Sequence, residues 1–450
     1  MSIYNFFTLP KQIVGDFGSL YLRKNFFNFW VVIFLLGPTL VTARTLKDIS
    51  DPEKTDENIK TVLFHRTGWP MSYPFIELNS GQSLTLSFDE LGTEIKNYYY
   101  TVELCDADWQ PSVLMRTEYF RGNDMVPVEI FRRSFNTTFD YVHYELEFPN
   151  EEIRLLVSGN YLVKVFENGN REEPVIIRRF WVTEQAVSIN AEVKYTMFSS
   201  DRSNYQEIDF EVQHPGINIM DPANEVNVTI IQNGRVDNAI RGLRPLFYGN
   251  GVMDFNYNRE VVFEGGNEFR WVDLRSFRFQ SDHVKDIVYS DPFYHIQVFP
   301  DQPRSKKPYY YHEDFNGRYY IDVQEEEDAE VSADYAFVHF SFKWEPPLNQ
   351  TEVYMTGGLT NWKLDQRAKM IYDYDDHLYH LTLLLKQGYY NYQYVVKKGM
   401  SEGKTTVIPS EGSFGRAEND YLILVYYRPV GQRYDRLIGL QIVNSVNKSG

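Results

Sequence analysis

The sequence predicts an all-β fold in which several β-sandwiches follow one another along the chain. Aromatic residues make up 16% of the 450 residues, including 34 Tyr and 32 Phe, and such residues favour the pleated, half-buried surface of a sheet. Short segments that alternate apolar and polar residues recur along the chain, with turn-forming Gly, Asn and Asp between them. A chain of this length has room for about three domains of ordinary size.

The formal net charge of the chain is -17. Nucleic acids and anionic membrane surfaces attract clustered Lys and Arg side chains, so neither is an expected partner. The single cysteine, Cys105, rules out an intramolecular disulfide and a cysteine-based zinc cluster. Because Cys105 lies in an alternating segment that begins at Tyr98, we predict a buried structural thiol.

Residues 1–43 are predicted to be a secretory signal peptide. Arg23 and Lys24 precede an apolar run over residues 26–43. The run is short for a membrane span, is interrupted by Gly37 and Pro38, and ends in small residues, as before a signal-peptidase cleavage site. The sequence therefore predicts an exported protein, with an uncleaved membrane anchor as the alternative.

The first of three predicted β-sandwich domains, of the immunoglobulin-like or early-set kind, spans residues 44–185. Residues 83–88 alternate cleanly between apolar and polar, and residues 160–169 alternate into an Asn-Gly turn. Residues 175–182 have the pattern of a strand, and a new run opens directly after them. We therefore predict that these residues form the last strand of the domain.

The second predicted sandwich spans residues 186–323. Asn233 and Gly234 follow a good strand pattern and are typical of a tight hairpin turn. A second such pair, Asn316 and Gly317, predicts a hairpin between residues 309–311 and 318–323.

The third predicted sandwich spans residues 324–450. Its first residues, 324–330, are strongly acidic, and consecutive like charges cannot share a buried face, so they are predicted to be a linker or a solvated loop. Residues 381–396 have the pattern of two strands joined by a turn at a glycine. The last dozen residues are polar and are expected to fray.

Catalytic and metal-binding motifs were not found in the sequence. It contains no nucleophile elbow, no Walker loop and no His-Glu-x-x-His. His377 and His380 are a close pair, but residues three apart in a strand point to opposite faces and would not chelate one ion. We therefore predict that the protein is not an enzyme, and that it uses no cofactor, metal or small-molecule substrate.

One loop offers sugar binding as an alternative function. Two glycines, then Asn361, Trp362 and Lys363, and then an aromatic-rich segment are similar to early-set sandwich modules that bind glycogen or starch. Trp362 would stack on a sugar face, and Asn361 and Lys363 would bind its hydroxyls. The simpler hypothesis is that Trp362 packs under its own loop. A packed stripe is likewise the favoured explanation for three tyrosines on one face of the later strand, Tyr390, Tyr392 and Tyr394.

Several short runs occur in an order that is typical of one protein family, although each run alone is weak. After the secretory start they are QHPGI at 213–217 with DP at 221–222, IQNGR at 231–235, GNEFR at 266–270, KQGYYNYQY at 386–394, EGS at 411–413 with ENDY at 418–421, and YDRLIG at 434–439. In these runs, over nearly all of the predicted mature chain, the sequence resembles the plug proteins of the type IX secretion system of Bacteroidetes.

The resemblance implies a periplasmic, non-enzymatic protein that docks on the giant outer-membrane β-barrel translocon. There it would seal the periplasmic opening of the barrel when no cargo is passing. The family pattern assigns no catalytic residues and no docking surface. A periplasmic carbohydrate-binding protein that uses the Asn361 to Lys363 region is the alternative, and a hydrolase with a divergent site is a more remote one.

Overall fold

The computed structural model of the protein describes residues 52–196, 203–257, 260–346, 351–398 and 405–446. The predicted signal peptide, residues 1–43, lies outside these ranges. The described residues form β-sheets joined by turns and very short helices, which confirms the predicted all-β class. Within these ranges, no helix is long and apolar enough to cross a membrane.

The first sandwich is formed by two sheets that face each other across an apolar core. One sheet has the order β1-β12-β11-β5-β7, with β3 parallel to β12, and the facing sheet has the order β2-β4-β9-β8. The strand β12 ends at Thr183, close to the predicted boundary at residue 185. The elements are β1 (Lys54–Thr55), β2 (Ile59–Arg66), β3 (Phe75–Glu77), β4 (Leu84–Leu91), β5 (Tyr98–Cys105), α1 (Arg116–Tyr119), β6 (Phe120–Gly122), β7 (Val126–Pro127), β8 (Ile130–Arg133), β9 (Tyr141–Phe148), β10 (Ile153–Leu155), β11 (Gly159–Glu167) and β12 (Pro174–Thr183).

The middle sandwich begins directly after β12. One of its sheets has the order β13-β14-β18-β17, with β19 beside β14. Asn233 and Gly234 have φ angles of 53° and 75° and close the hairpin between β15 and β16, as predicted. The elements are β13 (Ser188–Tyr195), β14 (Tyr205–Gln213), α2 (Pro222–Glu225), β15 (Val226–Gln232), β16 (Arg235–Leu243), β17 (Phe247–Gly249), β18 (Val252–Asp254) and β19 (Val262–Glu264).

The third sandwich is built around one long strand, β28. This strand pairs with β20, β23, β25 and β29, and the facing sheet has the order β21-β22-β24-β27-β26. The elements are β20 (Arg270–Asp273), β21 (Val284–Ser290), β22 (Phe293–Val298), β23 (Tyr319–Ile321), α3 (Ala329–Ser332), β24 (Tyr335–Phe342), β25 (Thr351–Thr356), a 3-10 turn (Gly358–Thr360), β26 (Ile371–Asp373), β27 (Leu378–Lys386), β28 (Gly388–Lys398), β29 (Thr405–Thr406) and α4 (Ile408–Glu411).

The chain then returns to the middle sandwich. Its last two strands, β30 (Asp420–Tyr427) and β31 (Arg436–Asn444), complete the second sheet of that sandwich in the order β16-β15-β30-β31. Conversely, the strands β20 to β23 lie before residue 324 but belong to the third sandwich. The predicted division at residues 323 and 324 is therefore wrong for the sheets, because strand patterns are local whereas the choice of a partner strand is long-range.

Three smaller predictions, on two hairpins and on the C-terminal residues, differ from the structure. Residues 309–311 do not pair with 318–323, because β23 pairs with β28 instead, although Asn316 and Gly317 do have the positive φ angles of a turn. The strands β27 and β28 belong to facing sheets and are not a hairpin. The strand β31 occupies much of the C-terminal stretch that was expected to fray.

The acidic residues 324–330 lie inside the third sandwich, in the connection between β23 and β24. Most of them are exposed, as predicted for a solvated loop. They do not link separate domains, however, because Asp328 and Glu330 form ion pairs with Arg132 of the first sandwich.

Candidate functional site

The loop from Asn361 to Lys363 is held by contacts within the protein. The side-chain oxygen of Asn361 accepts a hydrogen bond from Arg178 at 3.1 Å. The ammonium of Lys363 donates to the backbone oxygen of Glu53. The two polar side chains that were considered for sugar binding therefore already have protein partners.

Trp362 itself is half-buried. Its ring lies edge-on to Phe269, with the ring centroids 5.9 Å apart, and the Arg235 guanidinium lies 6.0 Å from its centroid. Gly317, with a φ angle of 79°, lies so close that an added Cβ would be 2.3 Å from Cη2 of Trp362. The indole thus packs against the turn before β23, which is the simpler of the two predicted arrangements.

Replacement of Trp362 by Ala is expected to lower the free energy of unfolding by about 1–3 kcal/mol, because it removes a large packed ring. The matched control is Trp69→Ala, because Trp69 is 63% exposed and its loss should change stability by about 0.5 kcal/mol or less. Urea unfolding of both variants gives the comparison. Unchanged stability of Trp362→Ala, with loss of a saturable glycan interaction, would instead support the sugar-binding alternative.

The three tyrosines of β28, Tyr390, Tyr392 and Tyr394, form a packed stripe, as predicted. Each is at most 2% exposed and belongs to the core between the two sheets of the third sandwich. The hydroxyls of Tyr392 and Tyr394 both donate to Asp301, at 2.9 and 2.8 Å. The stripe is therefore internal and cannot be a platform for a ligand.

The first and middle sandwiches share an apolar interface. The strand β30 is buried on both faces: Ile423 and Val425 point into the core of the middle sandwich, whereas Leu422 and Leu424 point towards the first sandwich. On the first sandwich the contact is formed by the outer face of the sheet that contains β5, β11 and β12. It includes the buried Cys105, as predicted for a structural thiol, together with Trp109, Leu162 and Trp181.

Polar contacts fix the orientation at the same interface. The Tyr426 hydroxyl donates to the side-chain oxygen of Asn160 at 2.7 Å, in a fully buried position. The Arg436 guanidinium pairs with the Glu184 carboxylate, with Nε 3.0 Å from Oε1. Directional contacts of this kind select one docking angle among those that the apolar surface alone would allow.

The first and third sandwiches meet at a buried ion pair. The Lys386 ammonium lies 2.7 Å from the Asp89 carboxylate, and the two side chains are 1% and 0% exposed. Asp89 also accepts hydrogen bonds from Tyr335 and interacts with His143, both at 2.7 Å. The Tyr335 hydroxyl in turn lies 2.5 Å from Thr61. Asp89, Lys386 and the Tyr335 hydroxyl have these partners only when the two sandwiches are in contact.

The surroundings of Asp89 stabilise its charged form. Burial opposes ionisation of this carboxyl, but the Lys386 ammonium and the His143 ring outweigh burial and hold its pKa below the usual range. Lys386 is held further by the backbone oxygen of Glu330 at 2.7 Å and by the ring of Tyr141, whose centroid lies 4.1 Å away. Burial lowers the pKa of the Lys386 ammonium, and the Asp89 carboxylate opposes that shift. The direct contact at 2.7 Å favours the ion pair inside the interface.

A second buried charge cluster ties α4 to the third sandwich. Glu411 is 0% exposed and is bound by Arg270 and Arg304, with Nε-to-oxygen distances of 3.0 and 2.8 Å. Burial alone would raise its pKa, but the two guanidiniums lower the pKa of Glu411 to about 2. From α4 the chain continues into the middle sandwich, where Gln206 donates to the backbone oxygens of Gly415 and Ala417 at 2.9 and 2.7 Å.

Glu268 is a buried acid whose pKa is raised, in contrast to that of Glu411. It is 1% exposed, its Oε2 has no hydrogen-bond partner, and its Oε1 accepts a hydrogen bond from Tyr309. Burial raises the pKa of Glu268 to about 7, and the nearby Asp314 carboxyl adds to the effect. The neutral form is therefore the one that the fold favours.

Replacement of Glu268 by Gln is expected to stabilise the protein at pH 8.5 but not at pH 5. The stability that wild type gains from neutral Glu268 is complete below the ordinary pKa of 4.5 and is lost as the pH rises through about 7. At about 1.4 kcal/mol per pH unit, the gain of the variant at high pH is up to about 3 kcal/mol. Urea unfolding at the two pH values measures the difference in free energy of unfolding between variant and wild type. The exposed Glu326→Gln is the control for the loss of one negative charge.

The residues that lock the sandwiches together were given no role from the sequence alone. Lys386 directly follows the apolar run 381–385, and a charge placed against such a run is the signal that could have indicated a buried partner. Nothing local identifies that partner as Asp89, which lies nearly 300 positions away in the chain. The Asp89–Lys386 pair therefore joins the first and third sandwiches through residues that are distant in the chain.

Comparisons with known proteins agree with this architecture. A family model described as the type 9 secretion system plug protein 1st domain matches residues 59–184. The crystal structure of a hypothetical protein from Parabacteroides merdae is 34% identical, covers 87% of this chain and 98% of that chain, and superposes with a TM-score of 0.84. No curated protein matches the chain.

Two further matches are much less similar. Trypsin-activated alpha-2-macroglobulin from Escherichia coli is 9% identical, with coverage of 85% of this chain and 27% of that chain and a TM-score of 0.17. Collagen adhesin from S. aureus is 8% identical, with coverage of 88% and 95% and a TM-score of 0.12.

The family match coincides with a structural unit, because residues 59–184 run from the start of β2 to the residue after β12 and so cover the first sandwich. The other two sandwiches contact it through the apolar cluster of β30 and the Asp89–Lys386 pair. The chain belongs to the type IX secretion system plug protein family.

Proposed function

We propose that this protein is a periplasmic plug of the type IX secretion system, which docks on the periplasmic opening of the outer-membrane β-barrel translocon. It seals the barrel when no cargo is passing. The observation that carries this proposal is the interlocking of three sandwiches by the returning strands β30 and β31, in a chain of the plug family.

Rigidity is the physical requirement for such a role. A translocon wide enough for folded cargo would leak small solutes when it is empty, so its stopper must keep its shape against the opening. Protein interiors packed at crystal-like density deform little. Here each sandwich is held to the others by buried side chains, including the ion pair of Asp89 and Lys386 and the apolar contact around Trp181.

The chemistry of the junctions also suits a structural role. The buried charges at Asp89, Lys386 and Glu411 are paired with one another or with arginines. A structural plug needs no cofactor and no small-molecule substrate. Its expected partner is the barrel protein itself, and neither nucleic acid nor an anionic lipid surface is favoured by the net charge of -17.

Purification of the tagged full chain from native outer membranes in gentle detergent tests the docking. We expect a very large outer-membrane β-barrel protein to co-purify and to be identified by mass spectrometry as the type IX translocon. Membranes that carry the tag alone provide the control. Absence of the barrel from the eluate, with the tagged chain intact, would overturn the docking proposal.

A further inference from the structure

The histidine at the junction of the first and third sandwiches has one ring nitrogen with no partner. His143 is 7% exposed. Its Nδ1 lies 2.7 Å from the Asp89 carboxylate, whereas its Nε2 is buried and makes no hydrogen bond. Buried polar atoms are nearly always satisfied, so an orphaned ring nitrogen requires an explanation.

Two carboxylates lie beside this nitrogen. Glu145 follows His143 by two positions in β9, so both side chains are on the same face of the strand. Glu330 comes from α3 of the third sandwich, and its Oε2 lies 3.9 Å from Nε2 of His143. One donor atom from each of the three residues lies within 4.8 Å of the other two.

The carboxylates around this cluster outnumber the neighbouring cations. Asp89, Glu145, Asp328 and Glu330 supply four negative charges, and Arg132 and Lys386, which pair with three of them, supply two positive charges. Apart from His143, the difference is two negative charges. A divalent cation would neutralise it.

We propose that His143, Glu145 and Glu330 form a binding site for Zn²⁺ that bridges the first and third sandwiches. One imidazole nitrogen and two carboxylates are ligands that Zn²⁺ accepts, with a fourth position left for water. Asp89 is the positioning residue, because its contact with Nδ1 orients the ring and leaves Nε2 for the metal. The Oε2 of Glu330 that lies near Nε2 also pairs with Arg132, and because a carboxylate oxygen has two lone pairs, it can contact the guanidinium and the metal together.

A second group of possible ligands, Asp373, Asp376 and His380, differs in a decisive way. The two aspartates are exposed, and His380 already pairs with Asp376 at 2.8 Å. No buried nitrogen is left without a partner there. The zinc proposal therefore rests on the His143 cluster alone, and it does not depend on the role of the protein as a plug.

Isothermal titration of the metal-free full chain with Zn²⁺ tests the site. Glu145→Gln should weaken binding by more than about tenfold, whereas Glu147→Gln, two positions further along the same strand face, should leave it unchanged. Because Glu145 is half-buried and Gln has the same shape, this replacement should not disturb the fold. Circular dichroism verifies that both variants are folded.

A second readout identifies the ligands directly. Co²⁺ in place of Zn²⁺ should give the visible absorption of a low-coordinate site with nitrogen and oxygen ligands, and Glu330→Gln should change that spectrum. Zn²⁺ should also raise the thermal midpoint of wild type but not of Glu145→Gln, because a ligand that binds only the folded state stabilises it. Equal Zn²⁺ binding by wild type, Glu145→Gln and Glu330→Gln, with loss of binding in His380→Ala, would overturn the proposal.

Discussion

A chain that ends at Arg416 is expected to lose the fold of its middle sandwich. This truncation removes β30 and β31, which are half of the sheet β16-β15-β30-β31. It exposes the core around Ile423 on one side and the contact with Trp181 on the other. An ordinary domain is stable by only roughly 5–15 kcal/mol, so calorimetry should show no cooperative transition for a middle sandwich that lacks two core strands.

The control for this truncation is a chain that ends at Val446, which keeps every described strand. A synthetic peptide of residues 417–446, added to the shorter chain, should restore protection of β15 and β16 from hydrogen exchange. If the chain that ends at Arg416 instead melted with the same midpoint and enthalpy as the control, the interlocked arrangement would be contradicted. The three consecutive domains predicted from the sequence would then be the better description.

Replacement of Lys386 by Met is expected to lower the free energy of unfolding by about 3–5 kcal/mol, because it leaves the Asp89 carboxylate buried without its cation. The side chains of this pair are 1% and 0% exposed, so water cannot compensate for the loss. Urea unfolding at neutral pH measures the effect. The change should destabilise the contact between the first and third sandwiches before it affects the core of either.

Two further variants distinguish the effect of breaking the buried pair on stability from the general effect of losing a lysine. Lys54→Met removes a pair with Asp56 whose side chains are 43% and 40% exposed, and it should cost less than about 1 kcal/mol. Asp89→Asn combined with Lys386→Met should be more stable than Lys386→Met alone, since no unpaired charge remains. A double variant that is less stable than the single one would show that the ion pair is not the source of the effect.

Local features of this fold could be predicted from the sequence because they depend on neighbouring residues. Asn233 and Gly234 supply the positive φ angles that a two-residue hairpin turn requires, whatever surrounds them. Alternation placed Tyr390, Tyr392 and Tyr394 on one face of β28, and it indicated a buried Cys105. The period of two in a strand determines such faces without knowledge of the partner strand.

The partners of the strands could not be predicted in the same way. After Asp420 the strand β30 is apolar throughout, because it is covered by the middle sandwich on one face and by the first sandwich on the other. No local sequence pattern indicates its pairing with β15, which lies about 200 positions earlier. The division at residues 323 and 324 was wrong for this reason.

The residues of the candidate site were predicted only in part. Trp362 and its neighbours stood out because of their types, and the structure places them in contacts with Phe269, Arg178 and Glu53. His143, Asp89 and Lys386 come from distant parts of the chain, so their proximity follows from the fold alone. Two of the runs that carried the family resemblance contribute residues to the junctions, since they contain Lys386 and Arg436.

The sealing role is tested most directly by the permeability of the outer membrane in cells that lack this chain. The measurement is uptake of an antibiotic that is too large to cross an intact outer membrane. We expect uptake to rise when the chain is deleted, to return to normal when it is restored, and to stay normal when the translocon barrel is deleted as well. Unchanged uptake in cells that keep the barrel but lack this chain would contradict the sealing role.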